Sequence, residues 1–153
     1  MQEQARHFIE LRRRKLLEAE AREHPTQVFA DALFSRLQSE VPSFAETKFV
    51  EGNTIVLHDN ERMVGAHLTI RTFFEEKRVD IIYIRTHPEL KKNPEDRTGS
   101  AVIDILKSEA KKAGCTTLCA KGALPEAVGF WVKAGFTKIP NGKAINPDYE
   151  YAL

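Results

Sequence analysis

Apolar positions recur at two different periods along the chain, and the change of period divides it. Up to about residue 40 the spacing is helical. Residues 2–23 are dense in the strong helix formers Ala, Leu, Glu, Arg and Gln, with a thin apolar stripe of Phe8, Ile9, Leu16 and Leu17. His24-Pro25 predicts the end of this helix, because the residue before a proline avoids helical geometry. Thr26 suits an N-cap. A second helix is expected to about Glu40, with Val28, Phe29, Ala32, Leu33 and Leu37 on one buried face and Val41-Pro42-Ser43 as its stop. The pattern thus predicts an N-terminal pair of helices ahead of any sheet.

From Asn53 the period falls to two. Asn53–His58 carries a short β signal, Thr-Ile-Val-Leu, followed by a turn at Asp59-Asn60-Glu61-Arg62. Met63–Phe74 alternates, with Val64, Ala66, Leu68 and Ile70 on one face and Gly65, His67, Thr69 and Arg71 on the other. Glu75-Glu76-Lys77-Arg78 turns the chain into Val79–Thr86. Simple alternation there puts Asp80, Ile82, Ile84 and Thr86 on one face and Val79, Ile81, Tyr83 and Arg85 on the other. These segments read as an antiparallel meander.

The pattern changes again at His87-Pro88. A polar loop from Glu89 to Thr98 carries Lys91, Lys92 and Arg97, and a helix from about Gly99 to Ala113 buries Val102, Ile105, Leu106, Ala110 and Ala113. Gly114 fits the position after its end. A strand at Thr116–Ala120, a short helix at Pro125–Ala134 opened by proline, a strand at Phe136–Ile139, a turn at Asn141-Gly142 and a last strand over 148–153 complete the chain. The expected fold class is α/β (α+β), with a mixed, mostly antiparallel central sheet flanked by helices. It forms a single domain over 1–153, with helices in 1–45 and the sheet in 53–153.

Composition narrows the class. With 153 residues, 42% hydrophobic and 29% charged, the sequence fits one globular domain. The net charge of +1 gives a weak overall field. Arg12-Arg13-Arg14-Lys15 is a local exception. It is either a solvated helix face paired with Glu10, Glu18 and Glu20 or a contact for RNA or an acidic partner. No apolar run approaches the ~18 residues of a membrane span, and the N-terminus lacks a signal-peptide core. The expected location is cytoplasmic, with no membrane partner. Cys115 and Cys119 lack the two further ligands a zinc site needs, so no metal is expected and Cys119 reads as packing.

The chemistry concentrates between Val79 and Phe136. A basic loop followed by Arg97-Thr98-Gly99-Ser100-Ala101 at a helix start is an anion site in outline. The first N–H groups of the helix lack partners and its dipole end is positive. Farther on, Ala127-Val128-Gly129-Phe130-Trp131-Val132-Lys133-Ala134-Gly135-Phe136 places alanine, two aromatics, lysine, glycine and phenylalanine at a distinctive spacing.

From Asn53 onward the order of elements, together with these two motifs, resembles the GNAT superfamily of acetyl-CoA-dependent N-acyltransferases. His87-Pro88-Glu89 is similar to the family's segment before the pyrophosphate loop. Thr98–Ile103 with Lys112-Ala113-Gly114-Cys115 is similar to its cofactor helix, and Ala127–Phe136 to its closing motif. The resemblance implies acetyl-CoA held by Lys92, Arg97, Thr98, Gly99, Ser100 and Ala101 at the phosphates. Ile84, Arg85 and Thr86 would lie along the pantetheine, Trp131 near it, and Phe130 inside. It implies direct attack by a primary amine of a small molecule or protein. Asp80 then stands where some relatives carry a strand glutamate as general base, with His87, His67 and Tyr83 as other titratable candidates. Trp131 occupies the place of a tyrosine that serves as general acid. Indole donates a hydrogen bond but gives up no proton usefully. The family's glycine-rich loop pattern is also broken here, by Arg97 and Pro94 in one alignment or by Asp96 in the other. The alternative expectation is therefore a catalytically inactive domain of the same fold, serving as a binding or structural module.

Overall fold

One helix, α1, runs from Gln2 to Glu40 in place of the expected pair. The computed structural model describes residues 2–42, 44–60, 65–87, 92–93, 95–140 and 145–153, the side chains of 18–23 excepted. Pro25 lies inside α1 and does not end it. His24 and Pro25 are both exposed, so water is available to the carbonyl that the proline leaves without a donor. Strong helix formers on the N-terminal side carry the helix through. Thr26 is accordingly no N-cap. It is buried, and its hydroxyl meets that of Thr72 at 2.8 Å. From there Phe29, Ala30, Leu33 and Leu37 enter the core, whereas residues 2–17 are all exposed.

Among the described residues the sheet has seven strands, in the order β1-β2-β3-β4-β5-β7-β6. They are β1 Thr47–Glu51, β2 Thr54–His58, β3 His67–Phe73, β4 Arg78–Arg85, β5 Thr117–Ala120, β6 Thr137–Lys138 and β7 Tyr149–Ala152. All neighbours are antiparallel except β4 and β5. That parallel step is spanned by α2, Thr98–Lys112, as parallel strands require. The last helix, α3, covers Val128–Lys133 after a single 3-10 turn at Pro125–Ala127. Strand β1 was not expected from the pattern. It joins β2 through the two-residue hairpin Gly52-Asn53, with Gly52 at φ 58°. The expected N-terminal part of Met63–Phe74, the loop at Pro88–Lys91 and the Asn141-Gly142 turn lie outside the described residues.

The three helices share one face of the sheet. Ile55, Leu57, Leu68, Ile70, Val79, Ile81 and Leu118 point into that layer and are fully or almost fully buried. Arg36 of α1 reaches α2, donating to Ser108 Oγ at 2.7 Å and Glu109 Oε1 at 3.2 Å. Helix α2 ends in a Schellman motif, as Gly114 predicts. Gly114 adopts φ 88°, Cys115 N–H bonds Ala110 O, and Gly114 N–H bonds Lys111 O, both at 3.0 Å. Gly135 closes α3 in the same way, with φ 91°.

Candidate active site

The strand at the centre of the molecule is irregular where it matters. Strand β3 pairs Leu68 with Ile84 and Thr69 with Tyr83, but Ile70 with Ile81, so Ile82 is an extra residue in β4. Such a β-bulge reverses the in-out alternation beyond it. Ile81 and Ile84 therefore share the helix-covered face. Asp80 shares the opposite face with Tyr83 and Arg85. This corrects the simple alternation, which grouped Asp80 with Ile84 and Thr86.

The same place is where β4 and β5 part. Their pairing runs from Arg78↔Thr117 to Ile81↔Ala120, and Lys121 N–H donates to Ile81 O at 2.9 Å as the last rung. Beyond it the β4 backbone from Ile82 to Arg85 has no strand on that side among the described residues. A cleft of about 400 Å³ opens there. Ile84, Arg85 and Thr86 line it from the strand, and Gly99 and Ser100 from the first turn of α2. Glu126, Ala127, Phe130 and Trp131 line it from the closing motif, and Asp96 from the loop.

Seven of the residues singled out in the sequence thus meet in one cleft: Ile84, Arg85, Thr86, Gly99, Ser100, Phe130 and Trp131. Others lie elsewhere. Ala101 packs against the core. Lys92 and Arg97 are exposed, and neither lines the cleft. His87 contacts the buried Asp59, Nε2 to Oδ2 at 2.7 Å. Asp80 is buried on the far face with its carboxylate held by Arg78 Nε at 2.8 Å. Both aromatics line the cleft, and Phe130, expected inside, is the more exposed of the two. Trp131 is 5% exposed and stacked edge-on between Phe130 and Phe136, each 5.0 Å away. Phe130 is half-buried and lies against Gly99, where an added Cβ would come within 3.2 Å of its ring. That close approach gives Gly99 a packing reason independent of any ligand.

Two carboxylates in the cleft were not foreseen as lining groups. Asp96 Oδ1 accepts from Thr98 Oγ1 at 2.7 Å and from Thr98 N–H at 3.3 Å. It thereby occupies a donor at the start of α2. An aspartate two residues before a threonine is an Asx-turn signal that could have revealed it. Glu126 is the second. Next to the last rung, Cys119 is neighbour to Asp80 across β4–β5. Burial first, then the Asp80 charge, pushes its thiol up to about 11, so it is no thiolate nucleophile near neutrality. Among the described residues no group of His, Cys, Asp and Glu is placed to hold a metal ion. No described helix is long and apolar enough to cross a membrane.

Solved structures share this fold. Tetrahymena GCN5 superposes with a TM-score of 0.54 at 14% identity, over 82% of this chain and 85% of that one. An acetyltransferase of the GNAT family from Staphylococcus aureus Mu50 gives 0.54 at 11%, over 84% and 92%. The chain has the GNAT acetyltransferase fold. A further GNAT-fold match is an acetyltransferase from Thermus thermophilus, with a TM-score of 0.53 at 15% identity over 68% of this chain and 67% of that one. Among curated proteins, the tRNA(Met) cytidine acetyltransferase TmcA of Thermococcus sp. (strain AM4) is 33% identical over 87 residues. That segment is 56% of this GNAT-fold chain and spans 10% of the archaeal protein. No protein-family model matches the sequence.

Proposed function

We propose that the chain is an acyltransferase that moves an acetyl group from acetyl-CoA to an amine by direct attack. The observation that carries this reading is the coincidence of three features at one point: the β4 bulge at Ile82, the end of β4–β5 pairing, and the cleft between β4, α2 and α3.

The residues present fit a thioester donor in most respects. The open edge of β4 offers main-chain N–H and C=O groups to the amides of a pantetheine arm. Phe130 and the edge of Trp131 give the arm an apolar wall. The first turn of α2 has N–H groups for a phosphate, and Gly99 and Ser100 keep the approach narrow in side chain. Bound there, the donor would supply an activated acyl carbon and a thiolate leaving group. The protein's own part is to align the donor, exclude water from the gap, and let main-chain N–H groups at the open edge polarise the acyl oxygen.

Proton handling is sparse. Asp80, expected as the base, is tied to Arg78, and Trp131 cannot act as an acid. A lysine amine is only about one part in 10³ neutral at pH 7 and needs a base, whereas a weakly basic amine needs none. The curated relative's acceptor is a cytidine of a tRNA. A nucleobase amine therefore belongs among the acceptors this reading admits, beside small-molecule and protein amines. Cytoplasmic placement goes with it.

A second reading, an inert binding module, is favoured by one observation. Asp96 places a negative charge on the helix start where a phosphate would sit. Calorimetry with acetyl-CoA separates the two. Saturable binding, followed by thiol release with an amine panel, supports the transferase. No heat at millimolar acetyl-CoA sinks it.

A further inference from the structure

The bulge at Ile82 accounts for the β4 side of the gap. The β5 side has a cause of its own. The last β5–β7 pair is Ala120↔Tyr149. One step farther along each strand come Lys121 and Asp148, and there a side chain takes over from the ladder. Asp148 Oδ1 accepts from Gly122 N–H at 2.8 Å, and Oδ2 accepts from Lys121 Nζ at 2.9 Å. The next residue is drawn the same way, with Ala123 N–H donating to Pro147 O at 2.9 Å. Gly122 at φ 57° bends the outgoing chain, and Asn146 at φ 50° bends the returning one.

Lys121 N–H is therefore the last main-chain donor that β5 gives to β4. The N–H groups of Gly122 and Ala123 both turn to the 147–148 segment, away from the β4 backbone beyond Ile81. Asp148 is 3% exposed. A carboxylate is carried at that depth only where its bonds are good, and charge-assisted bonds are directional as well as strong.

The donor cleft depends on where this exit leads. From the buried Ala123 the chain enters the turn at Pro125–Ala127 and then α3. Glu126, Ala127, Phe130 and Trp131 of that stretch form one wall of the cleft, and Ile84, Arg85 and Thr86 form another. Asp148 does not line the cleft, yet it fixes the start of the segment that does.

We infer that Asp148 is a positioning residue for the donor: its bond to Gly122 pulls the chain out of β5, holds the β4–β5 gap open and sets the α3 wall. The inference rests on the acyl-transfer reading for what the cleft holds. A wall fixed before the donor arrives spares the cost of ordering it on binding.

The test pairs acetyl-CoA calorimetry with amide hydrogen exchange on the parent, Asp148→Ala and Asp148→Asn proteins. Asp148→Ala should bind acetyl-CoA about tenfold more weakly, the scale of one lost charge-assisted hydrogen bond. Asp148→Asn, whose amide oxygen still accepts from Gly122 N–H, should stay within about threefold of the parent. Exchange in Asp148→Ala should quicken across residues 121–127 and stay as it was in β3 and α2. The inference is overturned by Asp148→Ala binding like the parent, or by Asp148→Asn losing as much affinity as Asp148→Ala. It is overturned equally by exchange that quickens throughout the sheet, which would make Asp148 a residue of the fold at large. If the parent binds no acetyl-CoA, the acyl-transfer reading falls and exchange alone decides. Faster exchange confined to 121–127 then keeps the positioning role, and unchanged exchange there removes it.

Discussion

Asp96 is the residue on which the donor site turns. Its carboxylate satisfies Thr98 at the start of α2 and lines the cleft, so an incoming diphosphate must displace it. Asp96→Asn keeps an oxygen to accept from Thr98 and removes the charge. Acetyl-CoA should then bind about tenfold tighter, the scale of one like-charge repulsion at a partly exposed site. Acetyl-pantetheine, which lacks the diphosphate, should bind both proteins equally in the same calorimetric titration. Equal acetyl-CoA affinity in the two proteins would mean that the carboxylate swings aside at no cost. Gly135 is a residue of the opposite kind, fixed by backbone geometry. It sits at φ 91°, and an added Cβ would lie 3.0 Å from Tyr151 Cε2. Gly135→Ala should cost about 1–3 kcal/mol and lower the thermal midpoint by roughly 3–10 °C.

At the scale of elements, α1 is two different things in one helix. Its C-terminal part supplies Phe29, Leu33 and Leu37 to the core, and its first turns supply nothing. Removing residues 2–17 should leave the melting temperature within about 2 °C of the full chain. A fall of 10 °C would show that Phe8, Ile9 or Leu16 packs somewhere in solution. The elements were also the most legible part of the sequence. The helix at 98–112, its glycine stop and the closing motif were all readable, because period and end signals are local there. Strand β1 could have been read too, since Gly52-Asn53 after Phe49-Val50 is a hairpin signal. Pro25 misled because its penalty is local, whereas the helix on both sides of it is long. The bulge at Ile82 left no trace in the letters. Val79 through Ile84 reads as an ordinary alternating strand, and only pairing with β3 reveals the extra residue. Most of the cleft residues were therefore recoverable; Asp96 and Glu126 were not, and neither was the face to which Asp80 points.

For the whole molecule, the stability profile should fall on its alkaline side. The Cys119 thiol is pushed up to about 11 by burial and by Asp80. Lys121 is raised by its hydrogen bond to Asp148, Nζ to Oδ2 at 2.9 Å. Both groups hold their protons more tightly folded than unfolded, so the unfolded state releases protons first. Their contribution is complete below the unfolded values, near 9 for the thiol and 10.5 for the lysine. It is lost as pH rises through the folded ones. Urea midpoints measured from pH 7 to 11 should hold to about pH 8.5 and then decline, and Cys119→Ala should flatten the first part of that decline. A midpoint that rises with pH would contradict the placement of both groups.

The extra residue at Ile82 has a consequence that concerns counting rather than chemistry. A strand is a parity device, in which an extra residue turns over everything after it unless a bulge takes it up. Deleting Ile82 would remove the bulge and leave a regularly alternating strand, in which Tyr83 still pairs with Thr69 and Ile84 with Leu68. Every named side chain of β4 would keep its face. What would go is the local distortion where β4 leaves β5, so the deletion should close the gap and weaken donor binding while the core stays as it is. It is the complement of substitution scanning, which changes side chains and leaves the count of residues between Val79 and Thr86 alone.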